Sequence, residues 1–121
     1  MIEAEKRGAM WVQGIEPNLE WRIIARGIFA ELDLDDRLSV FYDLSDVAKT
    51  GFDVTLLLSV LHLVENPQQL LDKALSLTNE LLIVEINDRL QKKEIKLPKE
   101  AVLYGKSKDN RNTYHIDKNN A

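Results

Sequence analysis

The stretch FDVTLLLSVLHLVENP, residues 52–67, decides the fold class of this chain. Its first seven residues form an apolar run around a single Asp, which is typical of a strand buried on both faces of a sheet. Polar residues follow at Ser59 and His62, and Pro67 suits the first turn of a helix, where a missing N–H costs nothing. The stretch therefore predicts a buried strand, a polar turn and a helix over residues 67–77.

Strands and helices continue to alternate on both sides of this stretch. The patterns predict short strands at residues 10–16, 38–42 and 81–86, and a helix at 19–32 with Asn18 as its N-cap. This alternation indicates an α/β fold with a mostly parallel sheet and helices on both faces. In such folds ligands bind at the carboxyl ends of the strands.

The last part of the chain has a different charge. Residues 1–86 carry 7 Lys and Arg against 15 Asp and Glu, whereas residues 87–121 carry 9 against 5, so the net charges are −8 and +4. We interpret residues 1–86 as an α/β core and residues 87–121 as a basic extension of the same domain, with antiparallel strands at 101–104 and 113–116. A solvated tail and a basic lip for an anionic substrate both fit this charge.

The composition excludes several classes of protein. A chain of 121 residues with 45% hydrophobic content can build one domain with one core. No apolar window approaches the length of a membrane span, and the start, MIEAEKRGAM, does not have the pattern of a secretory signal. The absence of cysteine excludes a disulfide framework, and the two histidines, His62 and His115, lack metal-ligand spacing. We expect a cytoplasmic protein with no membrane partner.

Three predicted strands end in polar side chains, at Glu16, Asp43 and Ser59. Because parallel strands present their carboxyl ends at one edge of a sheet, these positions are candidates for a ligand site. Residues of these types also cap helices and occur in turns, so this second reading stays open for each of them.

The order of four segments resembles class I S-adenosylmethionine-dependent methyltransferases. The segments are WVQGIEPN, LSVFYDLSDV, FDVTLLLSVLHLVENP and LLIVEI, and the resemblance covers residues 1–86. In that family the third segment looks like the fourth strand with its polar step, and the last looks like the fifth strand. The resemblance implies a Rossmann-like fold, S-adenosyl-L-methionine as the cofactor and methyl transfer to an O or N acceptor.

The resemblance also implies roles in cofactor binding. Glu16, followed by Pro17, matches the acidic residue that accepts hydrogen bonds from both ribose hydroxyls. Asp43 stands near the acidic position that contacts the adenine amino group, and Leu44 could pack on the adenine ring. Ser59 lies where the loop after the fourth strand borders the methionine part and the acceptor.

Acceptor binding is assigned in the same way. His62 would position or deprotonate the acceptor, because imidazole titrates near neutral pH; a histidine that touches the core edge at a helix start is the alternative. The tail falls where the family has an antiparallel pair that shapes the acceptor pocket. Its candidate acceptor-binding residues, for a small molecule or RNA, are Tyr104, Lys106, Arg111, Tyr114 and His115.

One part of the family pattern is missing from this sequence. The first strand and its glycine-rich turn, of the D-x-G-x-G-x-G kind, are absent, and only Gly8 and Gly14 lie near the expected region. In the family the first strand lies between the strands that correspond to 10–16 and 52–58. These two strands could pair directly, another chain could supply the missing strand, or the gap could be tolerated. We expect a homo-oligomer or a partner subunit that completes the sheet.

Two classes of function follow from the sequence. The first is a methyltransferase-like domain that transfers a methyl group to an O or N acceptor and is truncated, with weak or no activity alone. The second is a non-catalytic methyltransferase-like binding or partner subunit. A generic nucleotide-binding domain would fit Glu16 but lacks a phosphate loop. The sequence therefore leaves open whether the chain is an enzyme.

Overall fold

The computed structural model describes residues 1–47, 51–90, 95–106 and 111–119. The chain divides into two compact units, Met1–Ala48 and Lys49–Ala121. The predicted α/β class and the predicted strands are confirmed. In chain order the helices and strands are α1 (Ile2–Lys6), β1 (Val12–Ile15), α2 (Leu19–Glu31), β2 (Leu38–Phe41), β3 (Phe52–Leu58), α3 (Pro67–Leu77), β4 (Thr78–Ile86), β5 (Ala101–Lys106) and β6 (Asn112–Asp117), with 3-10 helices at Leu44–Asp46 and Leu61–Leu63.

The first unit is a parallel pair of strands with a helix on one side. β1 and β2 run in register from Val12 opposite Leu38 to Ile15 opposite Phe41. α2 begins where the sequence predicts, because the Oδ1 atom of Asn18 accepts a hydrogen bond from the N–H of Trp21 at 3.2 Å. The core of this unit is formed by Phe29, Leu34, Leu38 and Val40.

The second unit contains a four-stranded sheet in the order β3-β4-β6-β5. β3 and β4 are parallel, and β6 pairs antiparallel with both β4 and β5. The two strands predicted in the tail are therefore present and antiparallel, and they join the tail to the same sheet as β4. The four strands predicted outside the tail form two parallel pairs, one in each unit.

Only one face of the four-stranded sheet is covered by α3. Leu71 and Ala74 of α3 pack with Leu57, Leu82 and Val84 of the sheet, and all five side chains are buried. On the opposite face the side chains of β3 are 50–55% exposed, at Val54, Leu56 and Leu58. The expectation that strand 52–58 is buried on both faces is therefore wrong. We call the surface that contains these three side chains the open face.

Helix α3 continues into β4 without a loop, from Leu77 to Thr78. The hydroxyl oxygen of Thr78 lies 2.7 Å from the carbonyl oxygen of Ala74 and 2.7 Å from the hydroxyl of Thr55. The ammonium group of Lys118 donates to the carbonyls of Leu75 and Thr78, at 2.9 and 2.6 Å. Side chains therefore bind carbonyl groups of the last helical turn and of the junction with β4, in addition to the N–H of Thr78, which donates to the carbonyl of Leu75.

In the part of the chain that the structure describes, no helix combines the length and the apolar character needed to cross a bilayer.

Candidate functional site

Glu16 lies directly after β1, at the carboxyl end of the first parallel pair. Its backbone N–H donates to the carbonyl of Phe41 at 2.8 Å, which extends the strand pairing by one residue. Its side chain is half-buried, and its carboxylate has no hydrogen-bond or ion-pair partner among residues 1–47 and the other described segments. The helix that follows is capped by Asn18, so the carboxylate of Glu16 is not needed as a cap.

Arg22 fixes the backbone of the turn that contains Glu16. Its Nη1 atom donates to the carbonyl oxygen of Glu16 at 2.7 Å and to that of Pro17 at 2.9 Å. Its guanidinium also lies 5.4 Å from the centre of the Tyr42 ring, within the range of a cation–π contact. Arg22 therefore connects the residues after β1 with the residue after β2.

Asp43 caps the 3-10 helix Leu44–Asp46. Its Oδ1 atom accepts the backbone N–H of Ser45 at 2.5 Å and the hydroxyl of Ser45 at 2.7 Å, while Asp46 accepts the backbone N–H of Asp43. The hydroxyl and the N–H of Ser45 lower the pKa of Asp43 below its usual 3.8. The structure thus gives Asp43 a capping role. We use the name β1–β2 edge for Glu16, Pro17, Asp43 and Leu44.

The second unit brings chain segments that are far apart in sequence to a single edge of its sheet. Because β3, β4 and β5 run in the same direction, their carboxyl ends meet there, and β6 begins there. Ser59 and His62 follow β3, Lys106 ends β5, and Arg111 precedes β6. We use the name β3–β4 edge for Ser59 and His62 together with Glu85 and Asn87, which come from the end of β4.

Ser59 has an unusual backbone and two bonds to one residue. Its φ of 54° lies in the left-handed region that side chains rarely adopt. Its N–H donates to the carbonyl of Glu85 at 3.0 Å, and its hydroxyl donates to the Oε1 atom of Glu85 at 2.5 Å. Arg111 places Nη1 at 3.6 Å from the same Oε1 atom, so this tail residue also belongs to the network.

His62 is held by the residue that follows β4. The amide nitrogen of Asn87 lies 3.0 Å from Nδ1 of His62 and 3.3 Å from its Nε2. The amide oxygen of Asn87 accepts the backbone N–H of Arg89 at 2.9 Å, which assigns the nitrogen to the side of His62. Because an amide nitrogen only donates, a ring nitrogen of His62 accepts in this contact.

The structure distributes the candidate acceptor residues of the tail between the two faces of the sheet. Tyr104 stacks on His115, with ring centres 4.1 Å apart and planes at 7°, and His115 lies opposite Ile83 on the open face. Tyr114 lies opposite Val84, whose side chain is on the face covered by α3. Lys106 lies opposite Asn112. Asn112 is two residues from Tyr114 in β6, so Lys106 is on the covered face as well. Tyr104 and Tyr114 therefore do not share a face.

Three residues that form or support these two edges were missed from the sequence. Arg22 and Asn87 gave no local signal, because each acts on a residue that only the fold brings near. Glu85 did give one, since it is a charged residue inside the otherwise apolar LLIVEI segment. A carboxylate in such a strand needs a partner, and the structure supplies Ser59 and Arg111. Among the described residues, no group of His, Asp and Glu could hold a metal ion.

Comparison with known proteins adds information on the fold. No family model matches the sequence, and no curated protein matches it. Among solved structures, a protein from Haemophilus influenzae described as a "putative methylase" has a TM-score of 0.68 and 20% identity, over 96% of this chain and 77% of that one. A chain of the Pnkp1/Rnl/Hen1 RNA repair complex has a TM-score of 0.57 and 13% identity, over 97% of this chain and 40% of that one. This likeness shows that the chain shares the fold of these two structures.

Proposed function

We propose that this chain is a class I methyltransferase-like domain that takes S-adenosyl-L-methionine as methyl donor and an O or N nucleophile as acceptor. The observation that carries the proposal is the half-buried carboxylate of Glu16, at the carboxyl end of a parallel strand and without a partner in the described chain. Two ribose hydroxyls would donate to such a carboxylate, and Arg22 already fixes its backbone. The methyltransferase-like fold supports this reading.

The other strand ends have roles in the same proposal. The Oδ2 atom of Asp43, which has no hydrogen bond to a described residue, would accept the adenine amino group, and Leu44 would pack on the ring. Ser59 would border the methionine part of the donor. His62 would accept a proton from the acceptor as the methyl group is transferred. In-line transfer otherwise requires alignment of the reactants more than acid–base chemistry.

The proposed affinity of the 121-residue chain for the donor is weak. The sequence contains no D-x-G-x-G-x-G turn. Such a turn lets the backbone approach the ligand and offers N–H donors at a helix start. Since this contribution is missing, we expect a dissociation constant above the micromolar range and weak or no methyl transfer by the chain alone.

Amide NMR shifts of the purified chain during titration with S-adenosylmethionine to millimolar concentration test the proposal. We expect selective shifts at Gly14–Glu16 and at Asp43–Leu44, with a weak dissociation constant. Methionine alone, as a control ligand, should leave both segments unchanged. The absence of shifts at both segments at millimolar donor would contradict the assignment of the donor. A micromolar or tighter constant would contradict the importance given to the missing turn.

A second candidate function is that of a non-catalytic partner subunit, which the open face favours. Three apolar side chains of β3 are about half exposed there, and β3 has one neighbour in the sheet of its own unit. An exposed apolar strand of this kind is a frequent place for pairing with another chain. Light scattering at low micromolar concentration should show a homo-oligomer; a monomer that also binds the donor would favour the first candidate.

Several narrower expectations remain predictions. They are the roles of Tyr104, Lys106, Arg111 and Tyr114 in holding the acceptor, the choice between a small molecule and RNA, the boundary at residue 86, and the cytoplasmic location.

A further inference from the structure

The backbone of Ser59 needs support from its surroundings. A residue with a Cβ atom is disfavoured at a φ of 54°, because Cβ approaches the following carbonyl oxygen. Two hydrogen bonds to Glu85 offset this cost, one through the main chain at 3.0 Å and one through the side chain at 2.5 Å. The main-chain bond depends on the geometry of the strands and not on the side chain at position 85. Only the side-chain bond requires that residue 85 be a hydrogen-bond acceptor.

Glu85 is itself held in place. Its side chain is 23% exposed, and Arg111 lies 3.6 Å from the same carboxylate oxygen that accepts the Ser59 hydroxyl. The guanidinium attracts this carboxylate, and a carboxylate is a strong acceptor for a hydroxyl. This residue is therefore a fixed acceptor rather than a freely rotating surface side chain.

Asn87 repeats this relationship two residues further along. Since successive side chains of an extended segment alternate in direction, residues two apart project to the same side. Glu85 contacts the first residue of the turn after β3, and Asn87 contacts His62 within that turn. The end of β4 therefore supplies partners to both polar residues of the turn.

We propose that Glu85 and Asn87 are positioning residues for the turn Ser59–Leu63. Glu85 keeps Ser59 in its left-handed conformation and thereby sets the direction in which the turn leaves β3. Asn87 holds the His62 ring in its orientation. The inference rests on the proposed function in one respect, which is that this turn would lie at the site of the methyl acceptor. The positioning of the turn by Glu85 and Asn87 does not require a ligand.

Glycine rescue provides the test, because glycine adopts a positive φ without strain. In Glu85→Leu, residue 85 has no acceptor for the Ser59 hydroxyl. We expect the ratio of left-handed to other conformers of Ser59 to fall roughly tenfold, the worth of one charge-assisted hydrogen bond, and the strong intraresidue amide–α-proton NOE of Ser59 to weaken accordingly. The His62 ring signals should shift with it; they are easily assigned because the only other histidine is His115. In the double variant Glu85→Leu with Ser59→Gly the ring signals should return.

Two further variants separate the contributions. Glu85→Gln retains an oxygen acceptor and should keep both signals near those of the parent chain. Asn87→Ala should shift the His62 ring signals and leave the Ser59 NOE unchanged. Glu80, an exposed residue of the same strand, provides the matched controls Glu80→Leu and Glu80→Gln, which should change neither signal.

The inference is overturned if Glu85→Leu leaves Ser59 in its conformation, or if Ser59→Gly fails to restore the His62 signals. If Glu85→Leu unfolds the second unit, recovery of the fold by Ser59→Gly supports the inference, and unfolding in both backgrounds overturns it. None of these measurements requires a ligand. A parent chain that binds no S-adenosylmethionine would therefore count against the proposed function while the rescue experiment still decides the inference.

Discussion

Arg22 binds the main chain at Glu16, with Nη1 2.7 Å from the carbonyl oxygen of that residue. The backbone of Glu16 is thus fixed by Arg22, while its carboxylate has no described partner. Stability and ligand affinity should for this reason depend on different atoms of the same turn. Substitutions at the two positions can separate these two quantities.

Replacing Glu16 by Ala should weaken binding of S-adenosylmethionine by about 1.5–3 kcal/mol, the range for hydrogen bonds to a charged group. Thermal stability should change little, because the side chain makes no described hydrogen bond within the protein. Calorimetry or NMR titration measures the affinity, and Glu20→Ala, an exposed acid on α2, is the control. Unchanged affinity in Glu16→Ala would remove this residue from the site.

Replacing Arg22 by Ala should instead destabilise the first unit by about 1–3 kcal/mol, because two carbonyl groups lose a charged donor. Urea unfolding followed by tryptophan fluorescence would measure this loss, because both tryptophans, Trp11 and Trp21, lie in the first unit. Arg22→Lys should recover part of it, since an ammonium can reach one carbonyl but lacks the planar face for Tyr42. Equal stability of all three proteins would show that the turn holds without Arg22.

Thr78→Val should destabilise the second unit by about 1–3 kcal/mol, the cost of leaving a buried polar group unpaired. The side chain is 1% exposed and its hydroxyl contacts Ala74 and Thr55. Valine has nearly the same shape, so the loss reports the hydroxyl alone. Thr113→Val, at a half-buried position with no described side-chain hydrogen bond, is the matched control in denaturant unfolding. A similar loss in both variants would assign the effect to general strand packing.

The carboxyl of Asp43 should titrate below its ordinary value of 3.8, since both donors of Ser45 stabilise the ionised form. A group whose pKa is lowered on folding contributes stability above the unfolded value and loses it as pH falls through the folded value. The contribution of Asp43 should therefore disappear below pH 3.8. Carbon-13 NMR of the carboxyl measures the midpoint, and Ser45→Ala should raise it. A midpoint unaffected by Ser45→Ala would contradict this assignment.

The positions of helices and strands were largely readable from the sequence, whereas the packing of their faces was not. Strand 52–58 and helix 67–77 begin and end as predicted, because a turn, a proline and a change of hydrophobic period mark them locally. The run of three leucines at 56–58 carries no alternation, so Leu56 on the open face and Leu57 in the core are chemically the same signal. Periodicity cannot assign a face in such a strand.

The candidate site was readable only in part, for a related reason. Glu16 and Ser59 were found because they stand where strands end, which is a local property of the chain. The partner of Ser59 is 26 residues away, and the bond between Asn87 and His62 spans 25. No spacing rule encodes such pairs, since the sheet and not the local sequence brings them together. Resemblance to a family supplied candidate positions for ligand contact, and none of the residues that support those positions.

The direct passage from α3 into β4 restricts how this protein can vary in length. Between Leu77 and Thr78 there is no residue that belongs to neither element, and the junction is bound by Lys118 from the far end of the chain. An inserted residue would rotate the helix by about 100° relative to the strand and remove its apolar face from the sheet. Insertions and circular permutation should thus be rejected at this junction and accepted at the opposite edge, where residues 59–66 separate β3 from α3. New specificities could be acquired at that edge without disturbing the scaffold.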